Sequence, residues 1–241
     1  IGSAMTTAGN LGAGPWTMGV AVPAAGLGTR MGGVRKPFME LAGKPILLWA
    51  LQPFLQHPWV RAVAVALGDQ DAESPPDWLL SLDDRIRVVA GGATRGDSVR
   101  AALYALPVEV DLVAVHDAAR PLVTRDILDR CLASVGPQRG AVAGWPAVDT
   151  LKEVAWGGRI MGTPNRDRIW HAQTPQVFPR SILVEAYRRA LEEGTSDTDD
   201  SALVERIGGE VMMVSGSPFN LKVTRPEDLP MAELFLGMEG R

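Results

Sequence analysis

The chain has 241 residues, 46% of them hydrophobic, which suffices for one large domain or two small ones with a full core. Its 24 Lys and Arg against 28 Asp and Glu give a net charge of −4, which excludes the strong basic excess of a nucleic-acid binder. A single cysteine, Cys131, excludes an intrachain disulfide and, with three histidines, leaves no structural zinc pattern; no apolar run reaches the roughly 18–20 residues that a spanning helix needs. A cytoplasmic, soluble globular protein is expected, with neither nucleic acid nor membrane as partner.

Residues 1–17 are rich in Gly, Ala, Thr and Ser and lack the basic stretch and apolar segment of a secretory signal. They read as a disordered extension or a cloning remnant, with Met18 as the natural start and residues 18–241 as one domain. From Met18, short apolar runs alternate with helical patterns. Strands are expected at 19–23 (GVAVP), 60–67 (VRAVAVAL), 86–89 (IRVV), 112–116 (LVAVH) and 141–145 (AVAGW). Helices are expected at 45–56, 76–82, 98–106 and 124–135, with Pro45 in a first helical turn and Asp97 capping the helix from Ser98. Apolar runs of this kind suit strands covered on both faces, so the fold class is α/β with a doubly wound, mainly parallel sheet. Its ligand crevice belongs at the carboxyl ends of the strands.

One segment breaks the alternation. Residues 148–154 (VDTLKEV), Trp156-Gly157-Gly158 and residues 159–170 read as a hairpin with a Gly-Gly tip. A protruding two-stranded arm is marginal alone, which makes a second subunit its natural partner. Helices at 181–193 and 198–207, a strand at 210–214 and a helix at 226–236 complete the chain.

The first strand runs into AAGLGTRMGGVRKP, residues 24–37. Its glycines let backbone N–H groups approach a ligand, and Arg30, Arg35 and Lys36 add positive charge, so the loop suits a polyphosphate. A glycine-rich connection with solvated charges is the alternative. The loop is not a dinucleotide fingerprint, because Met31 occupies the third glycine position of GxGxxG. It is not a P-loop either, because Gly43-Lys44 is followed by Pro45.

Further loops fall after strands. GGATRGDS (91–98) opens a helix, so its amides either contact a base or phosphate or simply form a capped start. Asp117, in HDAARP, stands at a strand's carboxyl end, where a carboxylate suits Mg²⁺ together with substrate phosphates; an Asp117–Arg120 ion pair holding the turn is the bland alternative. Arg166 lies on the returning arm, Thr198 opens a helix in TDD, and Lys222 alternates with apolar neighbours in NLKVT. Only four lysines occur (Lys36, Lys44, Lys152, Lys222), so a lysine inside a charged loop stands out. The histidines form no nucleophilic arrangement with Cys131 or a serine.

In combination, PAAGLGTRMG, GGATRGDSV, VHDAARP, DTLKEV, HAQTPQVF, TDD and NLKVTRPEDL resemble the 2-C-methyl-D-erythritol 4-phosphate cytidylyltransferase family of the non-mevalonate isoprenoid pathway, over residues 20–229. The departure is Arg35-Lys36-Pro37-Phe38, where the family commonly has Pro-Lys-Gln-aromatic. The Lys-Pro pair is shared with other sugar-phosphate nucleotidyltransferases, which keeps ribitol 5-phosphate open as acceptor. A nucleotide-binding module without turnover and a nicotinamide oxidoreductase fit the charged loops less well.

The resemblance implies the family's Rossmann-like nucleotidyltransferase fold, a homodimer joined through the arm at about 148–170, CTP and methylerythritol phosphate as substrates, and Mg²⁺ or another divalent cation. It implies Arg30 and Lys36 as catalytic residues, and Ala24, Ala25, Gly26, Gly28, Gly92, Ser98 and Asp117 at CTP, with Asp117 also as the metal ligand. Arg166, Thr198 and Lys222 would position the sugar phosphate. No covalent enzyme intermediate is expected.

Overall fold

The computed structural model describes residues 16–26, 35–195 and 199–238. After β1 (Met18–Pro23) come a 3-10 turn at Lys36–Phe38, a small ladder of β2 (Glu40–Leu41) with β3 (Lys44–Pro45), and helix α1 (Ile46–Leu55). Then follow β4 (Val60–Leu67), short helices α2 (Asp69–Glu73) and α3 (Asp77–Leu80), β5 (Ile86–Ala90), α4 (Arg95–Ala105) and β6 (Leu112–Val115). Helix α5 (Arg125–Ser134) leads to β7 (Arg139–Pro146), β8 (Glu153–Val154) and β9 (Ile160–Gly162). The chain continues with β10 (Trp170–Pro179), α6 (Arg180–Glu193), α7 (Asp200–Arg206), β11 (Glu210–Ser215) and α8 (Asp228–Met238).

The main sheet of the described residues has seven strands in the order β11-β7-β10-β6-β1-β4-β5. All neighbouring pairs are parallel except those of β10, which runs antiparallel to β6 and β7. The mainly parallel, doubly wound expectation therefore holds. Strand β4 shows why these residues choose this layer. Val63, Val65 and Leu67 face one core with Leu47, Leu51 and Phe54 of α1 and Ile127 and Leu128 of α5. The intervening Ala62, Ala64 and Ala66 face the other, with Val99, Ala102 and Leu103 of α4 and Leu183 and Tyr187 of α6. The period-two split gives each face its own helical layer.

Three expectations are corrected. First, Trp170–Pro179 is a ten-residue strand inside the sheet, a stretch where the sequence patterns predict no strand after the arm ends at 170. Pro175 has no N–H to donate, and the β7 ladder is irregular between Ala172 and Gln176; a proline there disguises a central strand. Second, α4 starts at Arg95, three residues before Ser98. Thr94 is its N-cap, and Asp97 reaches back to the Thr94 N–H to complete a capping box. Third, the Gly157-Gly158 hairpin is shorter than 148–170, pairing Glu153 with Gly162 and Val154 with Ile160. Both glycines have φ of +88°, a region that L side chains rarely occupy. The hairpin exposes Val154, Trp156, Ile160 and Met161.

Candidate functional site

The chain passes from β1 through β4 to β5 on one side of the sheet, then returns to place β6 on the other flank of β1. Loops leaving the carboxyl ends of these four strands diverge at that reversal and leave a crevice. The cleft has a volume of about 780 Å³, and its walls include Ala25, Gly26, Gly92, Ser98, Asp117 and Lys222. These are six of the twelve residues singled out from the sequence. Ala24 stands just behind the wall, buried, with its N–H on the Ala66 carbonyl at 2.7 Å.

The β5–α4 loop is held close to the β1 loop. A Cβ on Gly91 would come within 2.4 Å of the Ala25 Cβ, and one on Gly92 within 2.2 Å of the Asp97 Cβ. Ser98 accepts from the Gly92 N–H at 3.1 Å and donates to the Thr94 carbonyl at 3.0 Å. Its hydroxyl thereby shapes the cleft wall.

Asp117 carries the densest electrostatics. Its Oδ1 accepts from Arg95 Nε at 2.8 Å and its Oδ2 from Lys222 Nζ at 2.6 Å. These are its ion partners among the described residues; Arg120 instead donates to the Asn220 carbonyl at 2.8 Å, so the Asp117–Arg120 alternative is set aside. Burial alone would raise the Asp117 carboxyl, but the Arg95 and Lys222 charges more than offset it and hold the group well below the usual carboxylate range. Arg95 also binds Asp200 at 2.9 Å. Burial would lower the Arg95 guanidinium, yet its two carboxylates push it up.

The main chain at Asp117 is fixed by β10, its N–H donating to Thr174 Oγ1 at 3.1 Å. Buried His116 lies beneath, its ring 2.9 Å from that hydroxyl, and burial pushes its pKa down to about 4. Asn220 donates to the Thr174 carbonyl at 2.9 Å, and Val223 N–H to the Ala119 carbonyl at 2.8 Å. Lys222 is thus carried on a segment tied to both β10 and the β6 loop.

Lys36 reaches the same segment, donating from Nζ to the Thr224 carbonyl at 3.1 Å. Arg35 turns instead to Asp71 and Gln70 of α2. Arg166 does not line the cleft of its own chain; it lies in a 3-10 turn between the hairpin and β10 and donates to the Val148 carbonyl. Gly28, Arg30 and Thr198 lie outside the described residues. Two side chains at the site were not singled out from the sequence, Arg95 and Asp200. A cation on the first residue of a helix opposes the macrodipole, and that anomaly is the one local signal that Arg95 has another task.

Among the described residues no group of three or more His, Cys, Asp and Glu could hold a metal. Asp117 and Asp69 are carboxylates in the cleft wall. Each Asp117 oxygen has one cationic partner and so keeps a lone pair. This fits Mg²⁺, which takes one or two carboxylates and leaves its other positions to phosphates and water. No helix of the described residues is long and apolar enough to cross a membrane.

The arrangement suits a large, polyanionic ligand held by backbone amides and cations. The family model for 2-C-methyl-D-erythritol 4-phosphate cytidylyltransferase (IspD) matches residues 18–238. The protein of that name from Symbiobacterium thermophilum is 44% identical over 224 residues, covering 92% of this chain and 94% of its own. That from Shewanella amazonensis is 44% identical over 223 residues, covering 89% and 91%. Among solved structures, 4-diphosphocytidyl-2C-methyl-D-erythritol synthase from Anaerococcus prevotii superposes with a TM-score of 0.81 at 27% identity, covering 92% of this chain and 97% of its own. The cytidylyltransferase from Thermus thermophilus does so with a TM-score of 0.76 at 32% identity, covering 90% and 98%. A match running from Met18 through every cleft loop to the last helix is more than a shared fold, and the chain belongs to the 2-C-methyl-D-erythritol 4-phosphate cytidylyltransferase family.

Proposed function

We propose that the cleft transfers the cytidylyl group of CTP to 2-C-methyl-D-erythritol 4-phosphate, giving 4-CDP-2-C-methyl-D-erythritol and pyrophosphate. A phosphate oxygen of the acceptor attacks the α-phosphorus of CTP, and the bond to the β-phosphate oxygen breaks as pyrophosphate leaves with the electron pair. The phosphate's second pKa is about 6, so at neutral pH the attacking oxygen is already ionised and no general base or covalent intermediate is needed. Catalysis then consists of aligning two anions that repel each other and neutralising charge at the crowded phosphorus.

Ala24, Ala25, Gly26, Gly92 and Ser98 form the cytidine side of the site, and the Gly26 and Gly28 backbone holds the triphosphate. Arg30 and Lys36 are the catalytic cations. Lys222, Thr198 and Arg166 position the sugar phosphate, Arg166 from the hairpin of a second protomer in a homodimer. Asp117 would hold Mg²⁺, which when bound there offsets charge on the triphosphate.

One observation carries the reading: Lys36, far away in sequence, is tied to the Thr224 carbonyl of the same short segment whose Lys222 pairs with the Asp117 carboxylate in the cleft wall. The test is pyrophosphate release with CTP, UTP, ATP and GTP against methylerythritol 4-phosphate and ribitol 5-phosphate. CTP with methylerythritol 4-phosphate is expected to give the highest kcat/KM. Faster turnover with ribitol 5-phosphate or another base would overturn the assignment of that substrate.

A further inference from the structure

Arg95 has two carboxylate partners of different kinds. Asp117 is shared with Lys222 at the cleft wall. Asp200 is fully buried and does not line the cleft; its Oδ2 accepts from Arg95 Nη2 at 2.9 Å and its Oδ1 from the Tyr187 hydroxyl at 2.5 Å. Five side chains therefore run in series from α6 to the site: Tyr187, Asp200, Arg95, Asp117 and Lys222.

Asp200 is itself immobilised. Its neighbour Asp199 caps α7 by accepting from the Ala202 N–H at 3.0 Å, and also accepts from Gln176 Nε2 at 3.1 Å. Gln176 Oε1 accepts from the Ser201 N–H at 3.0 Å. The two acidic residues divide the work: Asp199 fastens α7 to β10, which leaves Asp200 aimed at Arg95. The Lys222 side chain, by contrast, is 40% exposed, so it has solvent-side room to turn toward an arriving phosphate.

We infer that Asp200 is a positioning residue for the nucleotide: it anchors Arg95, so that Asp117 keeps one fixed cation and its orientation when Lys222 is drawn to substrate. The inference rests on the reading of the cleft as a CTP site. Because Arg95 lines that cleft, losing its anchor weakens ground-state and transition-state binding of the nucleotide alike. That raises KM for CTP more than it lowers kcat.

The experiment is calorimetric titration of the full chain with CTP in magnesium buffer, together with steady-state kinetics. Asp200→Asn keeps the shape and removes the charge; it is expected to weaken CTP binding about tenfold, the scale of coupling between groups in one network. In an Arg95→Gln background the same substitution should add nothing, because Asp200 acts through Arg95. A packing role for Asp200 would weaken binding in both backgrounds and overturn the inference, as would unchanged CTP affinity in Asp200→Asn. Should Asp200→Asn fail to fold, Arg95→Lys serves: a single ammonium cannot span both carboxylates, and wild-type affinity in that variant would overturn the inference. Failure of the wild-type chain to bind CTP would refute the functional reading itself.

Discussion

Thr174 Oγ1 stands 2.9 Å from His116 Nδ1 and accepts the Asp117 N–H at 3.1 Å, so one hydroxyl joins a buried imidazole to the main chain of the site carboxylate. The tautomer follows from the partners. His116 Nε2 lies 3.1 Å from the Arg120 carbonyl, which can only accept, so Nε2 carries the proton. Nδ1 is then an acceptor, and Thr174 donates to it. Thr174→Val removes the donor and the acceptor together, leaving the His116 ring nitrogen and the Asp117 N–H unpaired. Each buried unpaired group costs about 1–3 kcal/mol, and each kcal/mol is about 2–4 °C in Tm for a chain of this size. Thermal unfolding should show a clear drop for Thr174→Val and near-wild-type behaviour for Thr174→Ser. Equal Tm in all three proteins would show that the hydroxyl is not part of this network.

The two lysines at the 222–224 segment should separate kinetically. Lys36, assigned to the crowded phosphorus, acts mainly in the transition state, so Lys36→Ala should lower kcat about 10²–10³-fold, the scale for one charge-stabilising donor. Lys222, assigned to the acceptor, should when changed to Ala raise KM for the sugar phosphate more than KM for CTP. Initial-rate measurements with each substrate varied in turn decide this. A near-normal kcat in Lys36→Ala contradicts its role, and equal KM changes in Lys222→Ala move that residue away from the acceptor.

Arg166 lies outside the cleft of its own chain, in the turn that follows the exposed hairpin. If it serves the neighbouring protomer, each site draws on two chains. Arg30→Ala and Arg166→Ala homodimers should each be impaired, and mixing them should restore part of the activity, because each heterodimer then holds one site with both arginines. Activity is compared before and after mixing, with subunit exchange verified by mass. No recovery would place Arg30 and Arg166 in the site of the same chain.

The sheet was legible because its signal is local. In β4 the valines and alanines alternate along one run, and that alternation alone implies two covered faces. Strand β10 was not, because Pro175 and Pro179 are turn formers by residue type, and only neighbours on both sides make a strand of that stretch. Asp117 was legible from its place at a strand's carboxyl end and Lys222 from motif resemblance, and the cleft holds both. Arg95 and Asp200 escaped because their meaning is a pairing across 105 positions. Read locally, one is an arginine at a helix start and the other an acidic residue in a first helical turn. Chain-distant ion pairs leave no periodicity to read.

His57 links stability to pH away from the cleft. It is buried, accepts the Trp59 N–H at Nδ1 at 3.1 Å, and places Nε2 3.3 Å from Asp129 Oδ1. Burial lowers its pKa below 6.5; Asp129 pulls upward and Arg125 adds to the lowering. Because the folded value lies below the unfolded one, the unfolded chain takes up the proton first as pH falls through about 6.5, and the folded state loses stability from there downward. His57→Gln should therefore flatten the fall of Tm between pH 7 and 5. Asp129→Asn should steepen it, since removing the opposing carboxylate lowers the folded pKa further. Each variant is compared with its own Tm at pH 8, which subtracts the pH-independent cost of the lost contacts. Parallel curves for all three proteins would mean that His57 is protonated equally in both states and that its burial is not the cause.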